Sequence, residues 1–149
     1  MGKNRIIYLL FSLFISIMNA NAQTCSLEQL QAHIWYAKSG YSLEPLCDWN
    51  ISFVGKKCRY TYTPKERKDR NTPNIVIKKM DYYLCDSRPF EFVKNQWSEQ
   101  GNYIAFRQVL TYNKKKKSVF WYAKIKSVNS KVLILEMDNE TITFESHKD

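Results

Sequence analysis

The chain has 149 residues, with 23 Lys and Arg against 14 Asp and Glu, and a formal net charge of +9. That length suits one domain with its own core and excludes a miniature scaffold held together only by disulfides. The positive excess permits contact with polyanions, but the charges are scattered through polar turns and line no helix face, the pattern of a solvated surface.

Residues 1–22 read as a signal peptide. Lys3 and Arg5 lead an apolar run from Ile6 to Met18, and Ala20-Asn21-Ala22 offers small residues around a cleavage site. The run is too short for a comfortable membrane span, so no transmembrane anchor is expected in the mature chain. Residues 23–149 then form a single exported domain, periplasmic or extracellular. Its four cysteines, Cys25, Cys47, Cys58 and Cys85, meet an oxidising compartment and imply two disulfides, with three possible pairings. They contain no CxxC pair, and His33 and His147 are the only histidines, so neither a metal site nor a cofactor is expected.

In chain order, the first element is a short helix within 24–31. Ser26 and Gln29 have the spacing of a capping box, and Leu27, Leu30 and Ile34 recur at helical intervals. From His33 the period becomes two. Strands are expected over His33–Gly40, Trp49–Val54, Cys58–Thr63, Ile75–Cys85, Tyr103–Tyr112, Val119–Val128, Val132–Met137 and Thr141–Glu145. A further short strand over Phe90–Val93 is an option. Gly55-Lys56 marks a tight turn, and residues 64–74, with two prolines and no large apolar residue, mark a solvated loop. Asn113–Ser118, Asn129–Lys131 and Asp138–Glu140 read as the remaining connections. Eight strands joined mostly by tight turns predict an all-β fold, an antiparallel up-and-down barrel with a short N-terminal helix.

Trp35 after the short helix, Phe53 before Gly55, Asp81-Tyr82-Tyr83-Leu84 with Asp86-Ser87, Gly101-Asn102-Tyr103-Ile104, and the run from Ser127 to Leu135 form a set of matching segments. Together they resemble the lipocalin-like, or calycin, class of small secreted barrels, in particular small bacterial ones. The resemblance covers roughly Leu27 to Phe144 and implies that Trp35 plugs the barrel base. In such a meander, Cys58 at the start of one strand comes near Cys85 at the end of the next, which leaves Cys25 for Cys47. The preferred disulfides are therefore 25–47 and 58–85, although residue parity leaves open whether the second lies inside or outside the barrel.

Catalysis finds little support. The chain lacks the GxSxG, HExxH, phosphate-loop and dinucleotide patterns, and no histidine has a named nucleophile beside it. The expectation is a non-enzymatic binding protein. Tyr60, Tyr62, Tyr82, Phe106 and Trp121 are the candidate lining of a cavity for a small hydrophobic ligand. The competing reading is an interaction protein that meets an anionic glycan, lipid or protein surface. Its basic residues are Lys65, Arg67, Lys68 and Arg70 in one loop and Lys114, Lys115, Lys116 and Lys117 in another. Export makes nucleic acid an unfavoured partner.

Overall fold

A computed structural model describes residues 24–66 and 76–147. The candidate leader and the basic residues Arg67, Lys68 and Arg70 lie outside the described residues. The elements are β1 (Cys25–Ser26), α1 (Leu27–Gln31), β2 (Ile34–Ser39), β3 (Cys47–Val54), β4 (Lys57–Pro64), β5 (Val76–Cys85), β6 (Gln100–Gly101), β7 (Tyr103–Tyr112), β8 (Lys115–Val128), β9 (Val132–Met137) and β10 (Glu140–Glu145). Eight strands close into an antiparallel barrel in the order β10-β2-β3-β4-β5-β7-β8-β9, while β1 and β6 pair as a separate two-stranded ribbon. Closure leaves no free edge in the barrel, which removes the main aggregation liability of an all-β chain.

The helix starts as its capping box predicts. Ser26 Oγ accepts from the Gln29 backbone N–H at 3.1 Å, and Gln29 Oε1 accepts from the Ser26 N–H at 2.9 Å. Five residues cannot hold a helix alone. The wall of the barrel supports this one, with Leu30 fully buried and Gln31 donating both to the Gly55 carbonyl at 3.0 Å and to the Tyr82 hydroxyl at 2.8 Å. Ile34 does not extend the helical stripe. It begins β2 and is about half exposed, while Trp35 turns inward. The Trp35 indole donates to the Leu30 carbonyl at 2.9 Å, so the ring plugs the base and also satisfies an end carbonyl of the helix.

Alternation decides what faces in. Ile51 and Phe53 on β3, Tyr82 and Leu84 on β5, Ile104 and Phe106 on β7, and Leu133 and Leu135 on β9 are all buried. Phe53 meets Tyr82 edge-on at 4.9 Å between ring centroids. This filled lower half is the core, and the small radius of an eight-stranded barrel lets side chains fill it completely.

Two local expectations change. Residues 90–93 form no strand; Tyr83 on the outer wall instead anchors that loop, its hydroxyl donating to the Glu91 carbonyl at 3.2 Å and accepting from the Val93 N–H at 3.3 Å. The lysine run is also not a loop. Asn113 and Lys114 alone make the turn, with φ of 48° and 60°, and Lys115, Lys116 and Lys117 pair with Tyr112, Thr111 and Leu110 in strand register. Two successive left-handed residues match the twist of the flanking strands, so the hairpin needs no longer connection.

The disulfide expectation is overturned, for all four cysteines are free. Cys58 faces the barrel interior opposite Met80, whereas Cys85 lies at the far end of β5 on the outward parity, opposite Tyr103. Cys25 pairs with Gly101 below the base, while Cys47 pairs with Pro64 at the opposite end of β3 from the Gly55 turn that α1 contacts. A disulfide needs Cα atoms within about 7 Å, and strand parity and barrel length both prevent that here.

Candidate functional site

The two ends of the barrel differ because of what covers them. Helix α1, Trp35 and the 86–101 segment close one end. The other is bordered by the 40–46 connection and by the Asp138-Asn139 turn, both of whose residues are left-handed, with φ of 49° and 64°. Tyr41 leans over this end, edge-on to Trp49 at 5.7 Å, and Glu140 Oε1 accepts from the Ser42 N–H at 2.9 Å, tying the connection to β10.

A cleft of about 400 Å³ opens there, walled by Trp49, Tyr60, Tyr62, Met80, Trp121 and Met137 among others. Its aromatic wall is a consequence of register. Trp49 lies directly opposite Tyr62 on β4, and their rings stack at 5.8 Å with planes 15° apart. Tyr60 meets Trp49 edge-on at 5.4 Å, and Trp121 stacks on Phe106 at 5.8 Å and forms the opposite wall. Aromatic pairs of this kind add roughly 0.5–1.5 kcal/mol each beyond burial, so the wall is stiff. Lys78 reaches the opening, with its ammonium 6.0 Å from the Tyr62 ring centre.

Within this wall are two polar atoms that the fold leaves unpaired. Trp49, 6% exposed, and Tyr60, 5% exposed, both line the cleft, and neither Trp49 Nε1 nor the Tyr60 hydroxyl has a hydrogen-bond partner among the described residues. Each such atom costs roughly 1–3 kcal/mol. Burial pushes the Tyr60 phenol well above its ordinary pKa, with nearby Cys58 adding to the rise and the Trp121 side chain opposing it. Burial likewise raises Tyr62, to about 12. Both phenols are neutral at any physiological pH.

Of the five residues expected to line a cavity, Tyr60, Tyr62 and Trp121 come together at the opening. Tyr82 and Phe106 do not line it: Phe106 is fully buried beneath Trp121, and Tyr82 belongs to the base, where it accepts the bond from Gln31. Trp49, Lys78, Met80 and Met137 are lining residues that the sequence pattern did not single out. For Trp49 the signal is present, because alternation puts it on one face with Ile51 and Phe53, and hairpin pairing about Gly55 carries that face to Tyr62. Met137 reaches the cleft only through closure of the barrel by β9 and β10.

Other depressions have a different character. A groove of about 510 Å³ on the outer wall is bordered by Arg88, Lys124 and Glu136, and one of about 620 Å³ runs beside α1 with Glu28 and Glu99. Near the base, Asp81 accepts from both Arg107, at 3.1 Å from Nε, and Lys57. That trio joins three strands and offers neither a nucleophile nor a free carboxylate. Among the described residues no group of three or more His, Cys, Asp or Glu is placed to hold a metal, and no helix is long and apolar enough to cross a membrane. Lys65 is exposed and lies 3.8 Å from Asp48, while Lys114, Lys115, Lys116 and Lys117 are exposed on the β7–β8 hairpin.

No protein-family model matches this chain, and no curated protein or solved structure matches it.

Proposed function

We propose that this protein is an exported, non-enzymatic binding protein of lipocalin-like type that holds a small apolar ligand in the open end of its barrel. The observation that carries the reading is the aromatic cleft of about 400 Å³ at the uncovered end of the barrel, with Lys78 in its lining. Pockets for small molecules combine this kind of apolar lining with a few placed polar groups. The lipocalin-like assignment draws support from the closed eight-stranded order and from Trp35 above a short helix at the base. Export rests on the basic lead, apolar run and small-residue site of residues 1–22.

Titration with a panel of fatty acids and hydrophobic dyes tests this, because Trp49 and Trp121 stand in the wall and report on occupancy. Saturable quenching, together with a rise in melting temperature, is the expected result. A ligand present at a hundred times its Kd adds about 2.7 kcal/mol of stability. Absence of quenching across the panel would sink the cavity reading.

A second reading has its own observation. Beyond the barrel wall, the β7–β8 hairpin exposes Val109, Leu110 and Tyr112, the last 78% exposed, beside Lys114–Lys117. Apolar side chains next to four lysines suit an anionic surface. Salt-sensitive association with anionic vesicles or acidic glycans, lost when the four lysines become glutamines, is the outcome this reading requires.

A further inference from the structure

Lys78 stands directly opposite Tyr60 in the pairing of β4 with β5, and by alternation it shares a face with Met80. It lines the cleft, and its ammonium rests 6.0 Å from the Tyr62 ring centre. That is a weak hold at an exposed site, and it leaves N–H donors of the ammonium open to an acceptor. Lys78 takes no part in the ion pairs of the described residues. The carboxylates that line the cleft, Asp138 and Glu140, lie at the start of β10, which stands four places from β5 in the eight-stranded order and so faces it across the barrel. Glu140 already accepts from the Ser42 N–H. Positive charge continues outward on the near side. Val119 lines the cleft, and Lys117, two residues closer to the hairpin tip, shares its face of β8. Beneath the cleft Phe106 is fully buried and Tyr60 nearly so, which gives it a filled floor. The space is short, walled by rings, and carries an unpaired cation at its rim.

We infer, resting on the cavity reading above, that the cleft selects compact aromatic monoanions, the class of aryl carboxylates and sulfonates, with the ring held by Tyr62 and Trp121 and the anionic group on the Lys78 ammonium. Flat rings stack on aromatic walls in offset geometries that a puckered ring does not match. The filled floor keeps the anionic group at the rim. There it retains part of its hydration, so the ion pair forms without the full cost of burying two charges. Contact with the ammonium outweighs repulsion from Asp138 and Glu140 across the barrel, because Coulomb energy falls with distance. In taking the anion, Lys78 leaves the Tyr62 ring and exposes that face to the incoming ligand.

Four probes test this by calorimetric titration of the protein: 2-naphthoate, neutral 2-acetylnaphthalene, cationic 2-(aminomethyl)naphthalene, and decahydro-2-naphthoate, which keeps the charge on a puckered framework. Naphthoate should bind about tenfold more tightly than the ketone, a difference of about 1.4 kcal/mol, and about fivefold more tightly than its saturated counterpart. The amine should bind most weakly. Lys78→Gln should bring naphthoate down to the affinity of the ketone while changing the ketone less than twofold, and Lys78→Arg should keep the preference. Thermal melting checks that each variant is folded, which the exposure of Lys78 favours. Equal affinity for naphthoate and ketone, or tightest binding of the amine, overturns the selection while the cavity reading stands. So does a preference for naphthoate that survives Lys78→Gln and disappears when Lys114, Lys115, Lys116 and Lys117 become glutamines, because the anion would then sit on the hairpin. Equal affinity for the two carboxylates overturns the requirement for a flat ring. If hydrophobic dyes bind and none of the four probes does, this inference alone falls; if the dyes fail as well, both readings fall.

Discussion

Cys58 and Cys85 stand on opposite faces of one sheet, the first inside the barrel against Met80 and the second outside against Tyr103. Burial raises every thiol: Cys25 to about 12, Cys85 to about 11, Cys58 well above the ordinary value, and Cys47 upward with Asp48 assisting. Thiols held protonated in apolar surroundings are poor nucleophiles. Native protein should therefore leave Cys25 and Cys58, both fully buried, unmodified by a thiol-specific chromogenic reagent. Unfolding without reductant should release four reactive thiols. A count of two or none after unfolding would show that disulfides form.

Trp35 ties the helix to the barrel through one bond and one buried ring. Trp35→Ala should cost about 3–5 kcal/mol in urea unfolding, the usual range for emptying a large aromatic site. Trp35→Phe retains a ring and removes the donor to the Leu30 carbonyl, for a smaller loss of about 1–3 kcal/mol. If the two variants were equally stable, the ring would contribute through its donor alone.

Gly40 and Gly55 both have positive φ, at 87° and 54°, but only one is crowded. A Cβ on Gly40 would lie 1.9 Å from the Thr141 carbonyl oxygen, a backbone atom that cannot swing aside, while a Cβ on Gly55 would meet nothing within 4 Å. Gly55→Ala should cost about 1–2 kcal/mol from the left-handed backbone alone, and Gly40→Ala distinctly more. Chemical denaturation of the pair separates strain from clash; equal losses would mean that β10 yields to the added methyl.

The Asp81 trio predicts a pH dependence. Burial tends to raise the Asp81 carboxyl, but hydrogen bonds and charge from Lys57 and Arg107 outweigh it and hold the pKa below the ordinary value. A depressed folded-state pKa contributes stability that is present above the unfolded value, about 3.9, and is lost as pH falls through the folded value. Asp81→Asn should therefore cost about 1–2 kcal/mol at pH 6, within the span from exposed ion pairs to charge-assisted bonds. The gap between variant and parent should narrow as the pH is lowered below 4. A gap of the same size at pH 3 would assign the loss to packing.

Much of the barrel is legible in the sequence, because strand parity is a local property. Trp49, Ile51 and Phe53 alternate with polar residues, and the Ser26–Gln29 capping box names its own helix start; the Tyr103–Tyr112 and Val132–Met137 boundaries follow from flanking turn residues. The lysine run departs from its sequence reading for a physical reason. Charge and solvation give it the look of a loop, yet two left-handed residues, Asn113 and Lys114, close the hairpin and let the lysines pair as strand.

What the chain by itself determined is its period, its turns and thus its barrel: alternating apolar residues must find a common interior, and tight connections leave neighbouring strands antiparallel. Only the tertiary structure decided which interior is filled and which is open. Tyr82 and Tyr60 have the same inward parity, yet Tyr82 is bonded to Gln31 under the helix, while Tyr60 is left unpaired at the uncovered end. The fate of the cysteines was decided at that level too. A disulfide depends on separation in space and on the side of the sheet, and neither follows from the strand pattern until barrel closure sets the distance between its ends.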